Sequence, residues 1–168
     1  MARGPRYHVP YRRRREGKTD FRKRLRHLQS GMPRLVVRRT LTKTIVQVAE
    51  YSPEGDRVLA QATSQELAKM GWTASASNVP AAYLTGLLAA KRAAAAGVEE
   101  AVLDGGLGKP SRGGKIYSAL QGALDGGLWV PHGEEVLPDE DRIRGGHLSE
   151  EVPSMFDKVK EKIMEGPA

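Results

Sequence analysis

The side chains best equipped for chemistry in this sequence are cations. The stretch RRRREGKTDFRKRLRH, residues 12–27, holds nine Lys or Arg in sixteen positions against two acids. Lys and Arg at this density neutralise phosphate. Each contact releases condensed counterions, so that roughly 6 to 10 contacts change affinity by about 10³ to 10⁵ between 50 and 200 mM salt. The excess is also local. Residues 1–45 carry 15 Lys or Arg and 2 acids, whereas residues 46–168 carry 12 and 18, so a net +13 is followed by a net −6. Like charges this dense repel one another unless a polyanion meets them.

Other chemistries lack a frame. VLDGGLGKPSRGGK has the strand, glycine-rich loop and helix order of a phosphate cradle but fails on spacing. The position five before Gly108 is Leu103, the position five before Gly114 is Lys109, and Pro110 and Ile116 stand where a metal-binding hydroxyl belongs. Gly106 and Gly108 begin a dinucleotide pattern that Ser111 does not complete. It reads as a mobile connector whose Lys109, Arg112 and Lys115 touch solvent or RNA phosphate. A two-metal nuclease needs carboxylates converging from neighbouring strands, and Asp104 is alone at the end of its strand. His8, His27, His132 and His147 never pair at helical spacing, so neither zinc nor a triad has ligands in place. With no cysteine, disulfides and thiolate chemistry drop out and a reducing cytoplasm fits. No apolar run approaches the roughly 20 residues of a membrane span. A soluble, unexported, cofactor-free binding protein without catalysis is the expectation.

The elements that position the cations follow from periodicity. Residues 1–18, with Pro5 and Pro10 and few aliphatic side chains, form a basic arm expected to be extended or disordered when free. Thr19 or Asp20 caps a helix in which Phe21, Leu25 and Leu28 share a docking face while Arg22, Lys23 and Arg26 point away; Gly31 and Pro33 close it. RLVVRRT, TIVQVAEY and RVLAQAT are short β-branched segments joined by LTK and SPEGD, an antiparallel meander. Alternation sets Leu35 and Val37 on one face and Arg34, Val36 and Arg38 on the other, which extends the basic surface onto the sheet.

SQELAKMGW reads as a short helix, TASASN as a polar loop, and Asn78 caps a long alanine-rich helix with Pro80 in its first turn. VEEAVLDGG is a fourth strand, parallel to a neighbour, and KIYSALQGALDGG is a helix with Ile116, Leu120 and Leu124 in one stripe. WVPHGEEVLPDEDRIRGGHL reads as an extended acidic surface segment. Ser154 and Asp157 make a capping box for a last helix, with Met155, Val159 and Ile163 on its apolar face and Gly166 at its end. The expected fold is α/β: a mixed sheet, a three-stranded antiparallel meander plus one parallel strand, with helices packed on it. The divisions are 1–30, arm and basic helix; 31–128, core; and 129–168, an irregular C-terminal extension. An arm plus a rigid basic helix suits folded RNA, whose phosphates are read as shape; non-specific DNA or RNA binding is the alternative.

RLVVRRTLTKTIVQV with GDRVLAQATS resembles the L-eighteen family of large-subunit ribosomal proteins. GPRYHVPYRRRREGKTDFRKRL, NVPAAYLTGLLAAKRA and LDGGLGKPSRGGKIYSALQGALDGGLWVPHGEEVLPDEDRIRGGHL make the likeness specific to its archaeal and eukaryotic branch, and it spans roughly residues 3–148. The resemblance implies a structural component of the central protuberance, binding 5S rRNA and linking it to 23S rRNA beside a protein of the L-five type, with no membrane partner. It implies rRNA contacts from Arg3, Arg6, Tyr7, Arg12, Arg13, Arg14, Arg15 and Lys18 in the arm and from Arg22, Lys23 and Arg26 on the helix. Arg34, Arg38 and Lys43 would add contacts from the sheet, and the loop from Trp72 to Asn78 matches a family loop near the RNA. The connector DGGLGKPSRGG is richer in glycine than relatives usually are.

Overall fold

The structure is a computed structural model that describes residues 4–166. Its centre is a four-stranded sheet of β1 (Arg34–Arg39), β2 (Thr44–Glu50), β3 (Arg57–Thr63) and β4 (Val102–Asp104), in the order β3-β2-β1-β4. The first three strands form the expected antiparallel meander and β4 joins β1 in parallel. Register puts Leu35 opposite Val48 and Val37 opposite Val46, so one face carries a fully buried aliphatic row.

Helix α3 (Val79–Ala95) and helix α4 (Lys115–Asp125) cover that face. Asn78 caps α3 as its sequence predicts, its side chain accepting the Ala81 amide at 2.8 Å, with Pro80 in the first turn. The two helices run in the same direction at very short range. A Cβ on Gly122 would lie 2.0 Å from the Tyr83 carbonyl oxygen, and one on Gly86 would lie 2.0 Å from that of Ala119. The glycines are what permit this approach, and the alanines of α3 fill the seam.

Residues 128–166 are more ordered than an extended segment. Leu128 and Val130 are buried, Trp129 bridges Glu100, and two short helical pieces follow: a 3-10 turn at Glu134–Val136 and α5 (Glu140–Arg144). The final helix, α6 (Glu151–Glu165), begins before the expected capping box; Ser154 lies inside it, bonded to the Glu151 carbonyl at 2.9 Å. The buried stripe is Val152, Phe156, Val159 and Ile163, with Val152 and Phe156 taking the place expected for Met155, so it begins three residues earlier, just under one helical turn. Phe156 packs at a tilt against Tyr83 with centroids 5.3 Å apart, so α6 shares the core cluster that includes Leu35.

Candidate nucleic-acid interface

The N-terminal arm is not wholly extended. Arg12–Arg15 form a short helix, α1, that puts four guanidinium groups on one turn; Arg12 and Lys18 both reach Glu16, at 3.7 and 3.0 Å. Tyr11 lies 5.4 Å from Phe21, centroid to centroid, which folds α1 back on the next helix. Helix α2 (Phe21–Gln29) is capped by Asp20, whose Oδ1 accepts the amides of Arg22 and Lys23 at 3.0 and 3.2 Å. Its docking face differs from expectation. Leu25 is 58% exposed, and the side turned to the body carries Phe21, Arg24, His27 and Leu28 instead. Spacings of three and four serve as well as four and three, and Arg24 decides between them by finding a carboxylate.

That carboxylate is Asp56, in the turn between β2 and β3. Arg24 donates two hydrogen bonds to it, Nη1 to Oδ2 at 3.1 Å and Nη2 to Oδ1 at 2.9 Å. Arg34 Nη2 donates to the same Oδ2 at 2.5 Å, and Arg34 Nη1 donates to Asp104 Oδ2 at 3.1 Å. Asp104 also accepts Arg38 Nη2 at 3.2 Å and the Gly106 amide at 2.9 Å, while Arg38 Nη1 donates to the Asp104 carbonyl at 2.7 Å. Three guanidinium groups and two carboxylates thus form one chain across the sheet face opposite the core. Bidentate geometry of this kind is what makes an Arg–carboxylate pair specific in direction as well as strong.

Burial pushes both carboxyls up, and their partners outweigh it. Asp56 stays below the ordinary carboxylate range through the hydrogen bonds and charges of Arg24 and Arg34. Asp104 does so through Arg38, the Gly106 amide and the nearby His27.

The cations therefore fall into two sets. Arg34, expected on the surface, is 4% exposed and held by Asp56 and Asp104; the β1 face that alternation assigned to solvent is closed over it and Val36. Alternation along β1 reports only which side a residue faces, and both sides of this strand are covered. Arg38 is half committed, its side chain 43% exposed beside Asp104. The second set is open. Arg6, Arg14, Arg15, Arg22, Lys23 and Arg26 are exposed and have no ion pair among the described residues. Arg13 bonds Thr19, Lys43 reaches Gln65 at 3.3 Å, and Tyr7 is 45% exposed. Arg3 lies outside the described residues.

In the loop after the 3-10 segment Glu66–Met70, Trp72 turns inward, 3% exposed, with its indole N–H on the Ser75 carbonyl at 3.2 Å. It shapes the loop and offers no ring face to a base. Asn78 is engaged as the α3 cap, so the loop presents Thr73 and Ser75 at its surface. Composition missed Arg24, Asp56 and Asp104 as a set. Asp104 looks solitary in sequence because its partners are 70 and 66 residues away. Among the described residues no group of His, Asp and Glu could hold a metal ion, and no helix is long and apolar enough to cross a membrane.

Residues 5–100 match the family model described as ribosomal large subunit proteins 60S L5 and 50S L18. The chain belongs to this family of large-ribosomal-subunit proteins. Among its relatives, the large ribosomal subunit protein uL18 of Haloarcula marismortui is 46% identical over 99% of this chain and 98% of its own. The uL18 of Methanothermobacter thermautotrophicus is 52% identical over 96% of this chain and 84% of its own, and that of Korarchaeum cryptofilum is 54% identical over 96% and 81%. The family resemblance read from RLVVRRTLTKTIVQV and its companions is therefore correct, and the chain is a component of the large ribosomal subunit. Identity at this level over nearly the whole chain includes α6, which the quoted sequence stretches did not reach.

Proposed function

We propose that this chain binds 5S rRNA and links it to 23S rRNA in the central protuberance, next to a protein of the L-five type, as a structural component without catalysis. The observation that carries this reading is the open set of cations. Arg22, Lys23 and Arg26 stand on one exposed face of a capped helix, continuous with the arginines of α1, on the body of a large-subunit ribosomal protein. Groups already neutralised by Asp56 and Asp104 support the surface from behind, and the open groups are the ones a phosphate backbone would meet. In this reading residues 1–30 engage RNA, 31–128 carry them, and 129–168 complete the body.

The test is a competition binding assay with 5S rRNA, duplex DNA of equal length and an unrelated structured RNA. Preference for 5S rRNA of a hundredfold or more is the expected result. Equal affinity for all three identifies a non-specific polyanion binder and overturns the proposal.

A further inference from the structure

Helix α2 holds the open cations, yet its own attachment to the body is slight. No residue of α2 is buried, and its apolar contacts are the half-buried Phe21 and Leu28. Among the described residues its side-chain hydrogen bonds to the rest of the fold are the bidentate pair between Arg24 and Asp56, with the half-buried His27 adding only its charge near Asp104. Asp56 in turn is fixed by Arg34, which is itself 4% exposed and tied to Asp104 at the end of β4. The helix is thus clamped through one carboxylate to a buried ion pair that joins β1 and β4. We infer that Asp56 is a positioning residue for RNA recognition: by joining Arg24 of α2 to Arg34 of β1, it fixes the direction in which Arg22, Lys23 and Arg26 face.

This role rests on the proposed function and makes a prediction of unusual sign. Asp56 is an acid beside a phosphate-binding surface, so a counterion view requires that its removal, which adds one positive charge, strengthen RNA binding. Positioning requires the opposite. If loosening leaves α2 in its docked orientation a tenth of the time, the apparent Kd rises about tenfold.

The full chain would be compared with Asp56→Asn, Asp56→Glu and Glu54→Gln. Glu54 lies in the same turn, is exposed and has no ion pair among the described residues, so its variant carries the same charge change without touching the clamp. Two quantities would be read: hydrogen exchange at the α2 amides of the free protein, and affinity for Methanothermobacter thermautotrophicus 5S rRNA. Asp56→Asn is expected to speed exchange in α2, leave the core helices protected and weaken binding about tenfold. Asp56→Glu should recover part of both, and Glu54→Gln should bind as tightly as the parent or more so. Arg24→Gln, which leaves Asp56 on Arg34, must also speed α2 exchange, and it stands in if Asp56→Asn does not fold. Unchanged α2 exchange in either variant, or Asp56→Asn binding at least as tightly as the parent, overturns the inference. A parent chain with no salt-dependent affinity for 5S rRNA sinks the functional reading and this role with it, whatever the exchange shows.

Discussion

Arg34 and Asp104 are seventy positions apart in the chain and 3.1 Å apart in the fold, where parallel pairing of β1 with β4 brings them together. Both are nearly fully buried, at 4% and 9% exposure, so each needs the other to be tolerated away from water. Replacing Asp104 leaves the buried Arg34 with Asp56 alone, and replacing Arg34 leaves Asp104 with Arg38 and the Gly106 amide, so the loss should fall below the about 3 to 5 kcal/mol of breaking an isolated buried pair.

The pair gives an acid limb with a defined sign. Asp104 and Asp56 both ionise more readily in the folded chain than in the unfolded one, so below the ordinary carboxylate range the unfolded state binds more protons. Stability is then fully present above the unfolded value of about 3.9 and is lost as pH falls through the lower folded values. Urea unfolding between pH 6 and about pH 2.5 should show a steep decline below pH 4. Asp104→Asn should lower stability at pH 6 and flatten that decline; a decline of unchanged steepness would assign it to other carboxylates.

The seam between α3 and α4 predicts an inverted substitution effect. In an exposed helix Gly→Ala gains about 1 kcal/mol. At Gly122 the added carbon would sit 2.0 Å from the Tyr83 carbonyl oxygen, and backbone cannot give way as a flexible side chain can. Gly122→Ala should therefore destabilise, by about 1 to 3 kcal/mol in chemical denaturation. A gain would mean that the helices part without penalty.

The open cations predict binding loss without unfolding. Arg22→Glu with Arg26→Glu alters two exposed positions that have no ion pair among the described residues. Thermal stability should stay within about 1 kcal/mol of the parent while 5S rRNA affinity falls. Deleting residues 1–18 should weaken binding and flatten its dependence on salt, because fewer counterions are released. A parent-like salt slope after deletion would remove the arm from the interface.

What the sequence determined alone was whatever depends on near neighbours. Asp20 and Asn78 cap their helices because a cap bonds amides two and three residues on. The meander is legible because each turn sits between two β-branched runs, and the excess of cations before residue 45 needs no fold to be seen. Tertiary structure decided which cations are free. Arg22 and Arg24 are two residues apart in one helix, and nothing local separates them; Asp56, brought in by the β2–β3 turn, takes Arg24 and leaves Arg22 in solvent. Arg34 and Arg38 share a strand face, and β4 closes one of them in more fully than the other. The burial of Trp72 and the start of α6 were settled in the same way, by long-range packing that periodicity within a segment does not contain.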